Sequence, residues 1–265
     1  MHGGQGILTN NGEVNIDSDG TFDQAATGSY EIVNHGDFTK TGGSGTTTID
    51  VPFTNYRNIS ANIGTLHFAN SFELISGGVG LGGGRVTFLE TLALPSGSTL
   101  SGSGTITGNI EVRGNLAPGN SVGSITIEGD LTLTASTLSF FEVDMTAEPI
   151  TADFVQVDGT LNLDGMFSWE LLESIDPIST DMFTLYTANN LTGSFLNAAS
   201  GTRLYNSDLQ RSFVINYGSA SMFDPNSVIL SNFEFVPVPE PSTWVLMITG
   251  LFVVVVFQLR RRRTS

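Results

Sequence analysis

Three segments near the start of the chain share one pattern of apolar residue, spacer, asparagine, turn residues, polar residue and apolar residue. They are Leu8-Thr-Asn-Asn-Gly-Glu-Val, Ile32-Val-Asn-His-Gly-Asp-Phe and Phe53-Thr-Asn-Tyr-Arg-Asn-Ile. Phe68-Ala-Asn-Ser-Phe-Glu-Leu is a further, more closely spaced cognate, and Ile106-Thr-Gly-Asn-Ile-Glu-Val carries the turn shifted by one. Each reads as strand, turn, strand. Such a unit cannot bury its apolar face alone, so units of about 20 residues point to a stack in which each covers its neighbour.

Between the turns the apolar residues alternate, as in Val14 and Ile16, Ile125 and Ile127, Leu131 and Leu133, Val155 and Val157, and Leu161 and Leu163. Period two means strands with one buried face, so each named residue points inward, and Thr126, Glu128 and Thr132 point outward. The 31 glycines and the many Ser, Thr and Asn residues disfavour helix, whereas Thr, Val, Ile and Phe suit strands. The expected fold class is therefore all-β, a parallel β-helix whose coils stack roughly 4.8 Å apart, about ten of them making a rod near 50 Å. Residues 1–120 read as β-helix repeats and 121–235 as either further coils or a β-rich, sandwich-like cap, because hairpin spacing fits the second part equally well.

The end of the chain is different. Pro237, Pro239 and Pro241 mark an extended linker over 236–241, since proline removes backbone donors and disfavours both helix and sheet interior. No charge interrupts Ser242 to Leu259, a run that as a helix rises about 27 Å, enough for a short bilayer span over 242–259. Trp244 fits an interfacial aromatic, and Arg260, Arg261, Arg262 and Arg263 in the tail 260–265 fit a cytoplasmic anchor, which places the N-terminal bulk outside the cytoplasm. The tripartite order of Pro239-Glu240-Pro241, apolar span and arginine cluster resembles the PEP-CTERM sorting signal of Gram-negative bacteria. The resemblance is confined to the stretch from Pro239 to Arg263. It implies an inner-membrane precursor, processing near the motif by an exosortase, and delivery to the cell surface or medium alongside exopolysaccharide or another surface polymer. Export also calls for an N-terminal signal, which Met1-His-Gly-Gly-Gln-Gly is not, so a further upstream segment is expected.

A second resemblance covers residues 105–200. Asn115-Leu-Ala-Pro-Gly-Asn-Ser-Val-Gly-Ser-Ile-Thr-Ile, Leu138-Ser-Phe-Phe-Glu-Val-Asp and Asp153-Phe-Val-Gln-Val-Asp-Gly-Thr-Leu-Asn-Leu look like the C-terminal coils of autotransporter passengers. This implies a right-handed β-helix used as a stalk or adhesin. Val122 stands where that pattern has proline, and no outer-membrane barrel follows, so only the passenger architecture carries over.

Charge and composition narrow the chemistry. Net charge is −16, and setting aside Arg260 to Arg263 leaves six basic residues against 26 acidic, or −20. Such a surface repels phosphate polymers, so no nucleic-acid partner is expected. The chain has no cysteine and only His2, His35 and His67, which removes thiolate chemistry and leaves little for triads. Gly119-Asn-Ser-Val-Gly123 matches a nucleophile elbow, but a strand-like Ser-Ile-Thr-Ile-Glu follows where a helix is needed. Gly78-Val-Gly-Leu-Gly-Gly83 likewise lacks the helix a dinucleotide loop requires. Asn15-Ile-Asp-Ser-Asp-Gly20 opens like a calcium loop, yet Ala26 occupies the closing position, so Asp17 and Asp19 make at most a weak calcium site and no cofactor is expected. The acids Asp144, Glu148, Asp153, Asp158 and Asp164 read as solvated surface, and Phe167, Trp169, Phe183 and Tyr186 as core or cap packing. The resulting expectation is a non-enzymatic structural or adhesive surface protein. The alternative is a carbohydrate-active enzyme or carbohydrate-binding module on the same scaffold.

Overall fold

A computed structural model describes residues 4–23, 28–119, 121–146, 150–172, 177–206 and 211–235. Over these residues the chain is all-β, with short strands joined by glycine-rich corners and one 3-10 turn at Gly218–Ala220. The strands fall into three columns, and successive passes of the chain within a column pair in parallel. In the first, Gly4–Asn10, Gly28–Asn34, Phe53–Asn55 and Phe72–Leu74 form one ladder. Leu92–Leu94, Ile110–Val112 and Leu131–Leu133 form the next, continuing into Phe154–Leu163. The second column runs from Glu13–Ile16 through Asp37–Lys40, Asn58–Ala61 and the first half of Gly78–Phe88. The third runs from Gly20–Phe22 through Thr46–Ile49 and Thr65–Phe68 into the second half of Gly78–Phe88. Gly78–Phe88 therefore turns from one column into the next, so the connected pairings mark continuity around a coil rather than a barrel wall. These parallel sheets are consistent with a β-helix.

Register explains the uneven repeat. Ile32 lies beside Phe53 and Phe53 beside Phe72, whereas Leu131 lies beside Leu161 and Leu161 beside Leu191, so the later passes take up more chain than the earlier ones. The longer passes include the antiparallel pairing of Val143 with Ala152 and Asp144 with Thr151. One sequence alignment is corrected here. Phe68 belongs to the third column, and Leu74 rather than Asn70 stands beside Asn55. Thr99–Thr107 pairs with both Asn115–Pro118 and Ser124–Glu128, one strand on either side of the expected boundary. Parallel pairing continues to Gly193, beyond which Arg203–Tyr205, Arg211–Asn216 and Ser227–Phe235 pair antiparallel, and Ser227–Phe235 also pairs antiparallel with Phe183–Gly193.

The core follows the alternation. Ile125, Ile127, Leu131, Leu133, Val155, Val157, Leu161 and Leu163 are buried, while Thr126, Glu128 and Thr132 on the opposite parity keep partial exposure. Val14, in the first coil, is only partly buried. Phenylalanine rings pack inside, edge to face with centroids 5.1 Å apart for Phe38 and Phe53 and for Phe53 and Phe68, and stacked at 5.4 Å for Phe68 and Phe88 on successive coils. Corners need glycine where coils touch. Gly77 has φ +87°, and a Cβ there would fall 1.7 Å from the Arg57 carbonyl oxygen.

Candidate functional site

Asp17 and Asp19 lie in the corner between Glu13–Ile16 and Gly20–Phe22. The structure does not gather them into a cage. The Asp19 carboxylate turns back onto the next coil, accepting from Lys40 Nζ at 2.9 Å and from the Gly45 amide at 3.0 Å. Lys40 is fully buried, and its ammonium also donates to the Gly42 carbonyl at 2.8 Å and to Thr47 Oγ1 at 3.0 Å. Its hydrogen bond holds the Asp19 carboxyl below the usual range. Asp19 itself remains 44 % exposed, so solvent screens the pair from one side. A cation would have to displace this ammonium while Asp17 faces solvent. Among the described residues, no group of three or more histidines and acids is placed to hold a metal. The signal for Lys40 in the sequence is its parity, which is that of the inward Phe38.

A polar ladder runs along the preceding corner, between the first and second columns. Asn10 Nδ2 donates to Asn34 Oδ1 at 2.6 Å, and Asn34 Nδ2 donates to Asn55 Oδ1 at 2.6 Å and to the Gly36 carbonyl at 2.7 Å. These are the asparagines of the sequence repeat, all buried. Their amides satisfy corner backbone groups that lie outside the strand ladders, a structural task.

The glycine-rich corner at 119–123 also differs from a nucleophile elbow. Ser121 has φ 148°, a strained value for a residue with a side chain, and the strand Ser124–Glu128 follows. Asp153, read from sequence as solvated, is instead completely buried behind this corner. One carboxylate oxygen accepts from the Gly123 amide and the other from the Glu142 amide, each at 2.8 Å. Burial, with Glu142 beside it adding to the effect, pushes the Asp153 carboxyl up to about 7 against the pull of these two bonds. Parity carried the missed signal: Asp153 aligns with the inward Val155 and Val157, so its side chain enters the core.

Elsewhere, Asp158 is exposed and Asp164 partly so. Glu128 accepts from Arg85 and Thr107, bonds that lower its pKa, while burial and the neighbouring Glu170 raise that of Glu142. Phe167, Trp169, Phe183 and Tyr186 are all buried, Phe167 and Tyr186 packing against Phe195 and Trp169 and Phe183 against Phe213. Among the described residues the buried Trp169 indole nitrogen finds no hydrogen-bond partner. Pro239, Glu240, Pro241, Trp244, Arg260, Arg261, Arg262 and Arg263, together with Glu148, lie outside the described residues. Among the described residues no helix is long and apolar enough to cross a membrane.

Fold and polar network together define an all-β protein of parallel sheets whose buried polar groups tie one coil to the next. No family model matches the chain, and neither a curated protein nor a solved structure does.

Proposed function

We propose that this chain is a surface-displayed structural or adhesive module, a right-handed β-helix with an antiparallel, β-rich cap over its C-terminal end. It acts without intrinsic catalysis. One observation carries this reading: the stacked coils fill the interior together, and the buried polar groups are committed to neighbouring coils. Lys40 and Asp19, Asn34 and Asn55, and Asp153 and Gly123 are all spent in this way. Such a scaffold works through its repeated outer faces, where small hydroxyl and amide side chains alternate with acids. A right-handed winding is the hand that parallel crossovers favour for L-residues.

On this reading the chain reaches the surface through its C-terminal segment, with Pro239, Glu240 and Pro241 as the exosortase motif, 242–259 as the membrane span and Arg260 to Arg263 as the cytoplasmic anchor. Its partners are the exosortase during sorting and an exopolysaccharide or other surface polymer afterwards.

The test is protease shaving of intact cells combined with mass spectrometry of the C-terminus, in cells with and without the exosortase. The expected result is a surface form lacking Arg260 to Arg263 only where the enzyme is present. Intact tails in both strains overturn the sorting route, and the absence of any protease-accessible form overturns surface display. Turnover of a polysaccharide that is abolished by one carboxylate substitution would overturn the non-catalytic assignment.

A further inference from the structure

The inward residues of the first coil are not covered as those of the second are. Leu8 lies beside Ile32, Val14 beside Phe38 and Phe22 beside Ile49, each pair sharing inward parity. Ile32, Phe38 and Ile49 are buried, whereas Leu8 is 55 % exposed, Phe22 is 37 % exposed and Val14 is only partly buried. Leu8, Phe22 and Tyr30, with Ile32 and Val51 beneath, line a hollow of about 320 Å³ at this end of the stack. Among the described residues, Gly4–Asn10, Glu13–Ile16 and Gly20–Phe22 each pair on one side only. An open strand edge above an uncovered core is a template for a further strand.

The asparagine ladder shows what that strand must carry. At each step Nδ2 of one asparagine donates to Oδ1 of the next, Asn10 to Asn34 and Asn34 to Asn55. The Asn10 amide has two hydrogens, and Asn34 Oδ1 and the Asp37 carbonyl take both. Its Oδ1 accepts from the Gly12 amide, which leaves one lone pair in the place where Asn34 accepts from Asn10. The ladder therefore ends on an acceptor, on a residue only 9 % exposed, and a donor is needed to extend it.

A second copy brought end to end does not supply that donor, because both hydrogens of its own Asn10 are occupied in the same way. It would also set like charges together. Glu13, Asp17 and Asp23 are exposed around this face and Glu31 is partly so, while residues 1–39 contain no lysine or arginine. We propose that this end face is a docking site for a separate polypeptide, a strand–turn–strand segment of the same repeat type with basic outward positions. Its two strands pair in parallel with Gly4–Asn10 and Glu13–Ile16, its inward apolar residues fill the hollow, and its asparagine amide donates to Asn10 Oδ1. Lysine or arginine on its outward positions meets the acidic rim. The site is read from the fold alone and is independent of how the protein is displayed.

The probe is a synthetic, end-capped peptide with the sequence of residues 28–40, carrying Glu31→Lys and Asp37→Lys so that its outward positions are basic. Titrated onto the full-length chain in mild detergent, it should bind saturably, one to one, and slow hydrogen exchange over residues 6–16 but not over Leu131–Leu133. The same peptide with Asn34→Ala, equal in charge, should bind at least about tenfold more weakly. In the chain, Leu8→Asp alters an exposed position, so the melting temperature should hold while binding is lost. Absence of saturable binding to the folded wild type, equal affinity for the Asn34→Ala peptide, or undiminished binding by Leu8→Asp would each overturn the proposal. Concentration-dependent dimers of the chain alone, abolished by Leu8→Asp, would overturn it in favour of a second copy on this face.

Discussion

Asn34 has no exposed surface and its amide bonds to both neighbouring coils, accepting from Asn10 and donating to Asn55 as well as to the Gly36 carbonyl. Asn34→Ala strands partners on both neighbouring coils, and a loss of about 2–4 kcal/mol is expected in chemical denaturation, against little change for the outward Thr54→Ala. Neighbouring positions of opposite parity give a second comparison. Ile127 is fully buried, so Ile127→Asp places an unpaired charge in the core and should cost several kcal/mol, on the order of 3–5. Glu128→Lys loses the contacts with Arg85 and Thr107. Both side chains of that ion pair are more than one-third exposed, which limits the loss to about 1 kcal/mol. Equal melting temperatures for the two variants would contradict the register.

At the scale of elements, one lysine and one aromatic group tie segments together. Lys40 fastens the corner at Asp19 to the strand Thr46–Ile49 through Thr47. The Asp19 carboxyl is held below its ordinary 3.8, so this contribution is present above that value and is lost as pH falls through the depressed one. Acid titration followed by hydrogen exchange should show the corner loosening below about pH 4 in the wild type. In Lys40→Met the acid-dependent component should be absent. The antiparallel strands at the far end depend on Phe213, which is fully buried and packs its ring against Trp169 at 4.9 Å, Phe233 at 5.2 Å and Phe183 at 5.6 Å. Phe213→Ala should cost about 3–5 kcal/mol and, by circular dichroism and limited proteolysis, release the strands after Gly193 before the coils that precede them.

For the whole molecule, stacking makes each coil depend on its neighbours, and the acidic outer surface is left to meet solvent. With Asp19 held by Lys40, titration calorimetry with calcium should show no saturable binding tighter than about 10⁻⁴ M. A micromolar site abolished by Asp17→Asn would contradict that arrangement. The strand alternation, the all-β class and the inward Ile125, Ile127, Leu131 and Leu133 were legible in the sequence, because period two is a local property of an extended chain with one buried face. The repeated Asn10, Asn34 and Asn55 were legible for the same reason, as residues recurring at one place in a repeat. Which residues meet across coils was not legible, since the spacing from Phe53 to Phe72 or from Leu161 to Leu191 depends on how much chain each corner and excursion takes up. That length placed Leu74 rather than Asn70 beside Asn55. It also brought Asp19 to the ammonium of Lys40 and set the inward Asp153 against Gly123. Local alternation decides which way a side chain points, but only the stacked structure decides what it meets there, and for a buried charge that partner sets whether it is pinned by an opposite charge or poised to titrate.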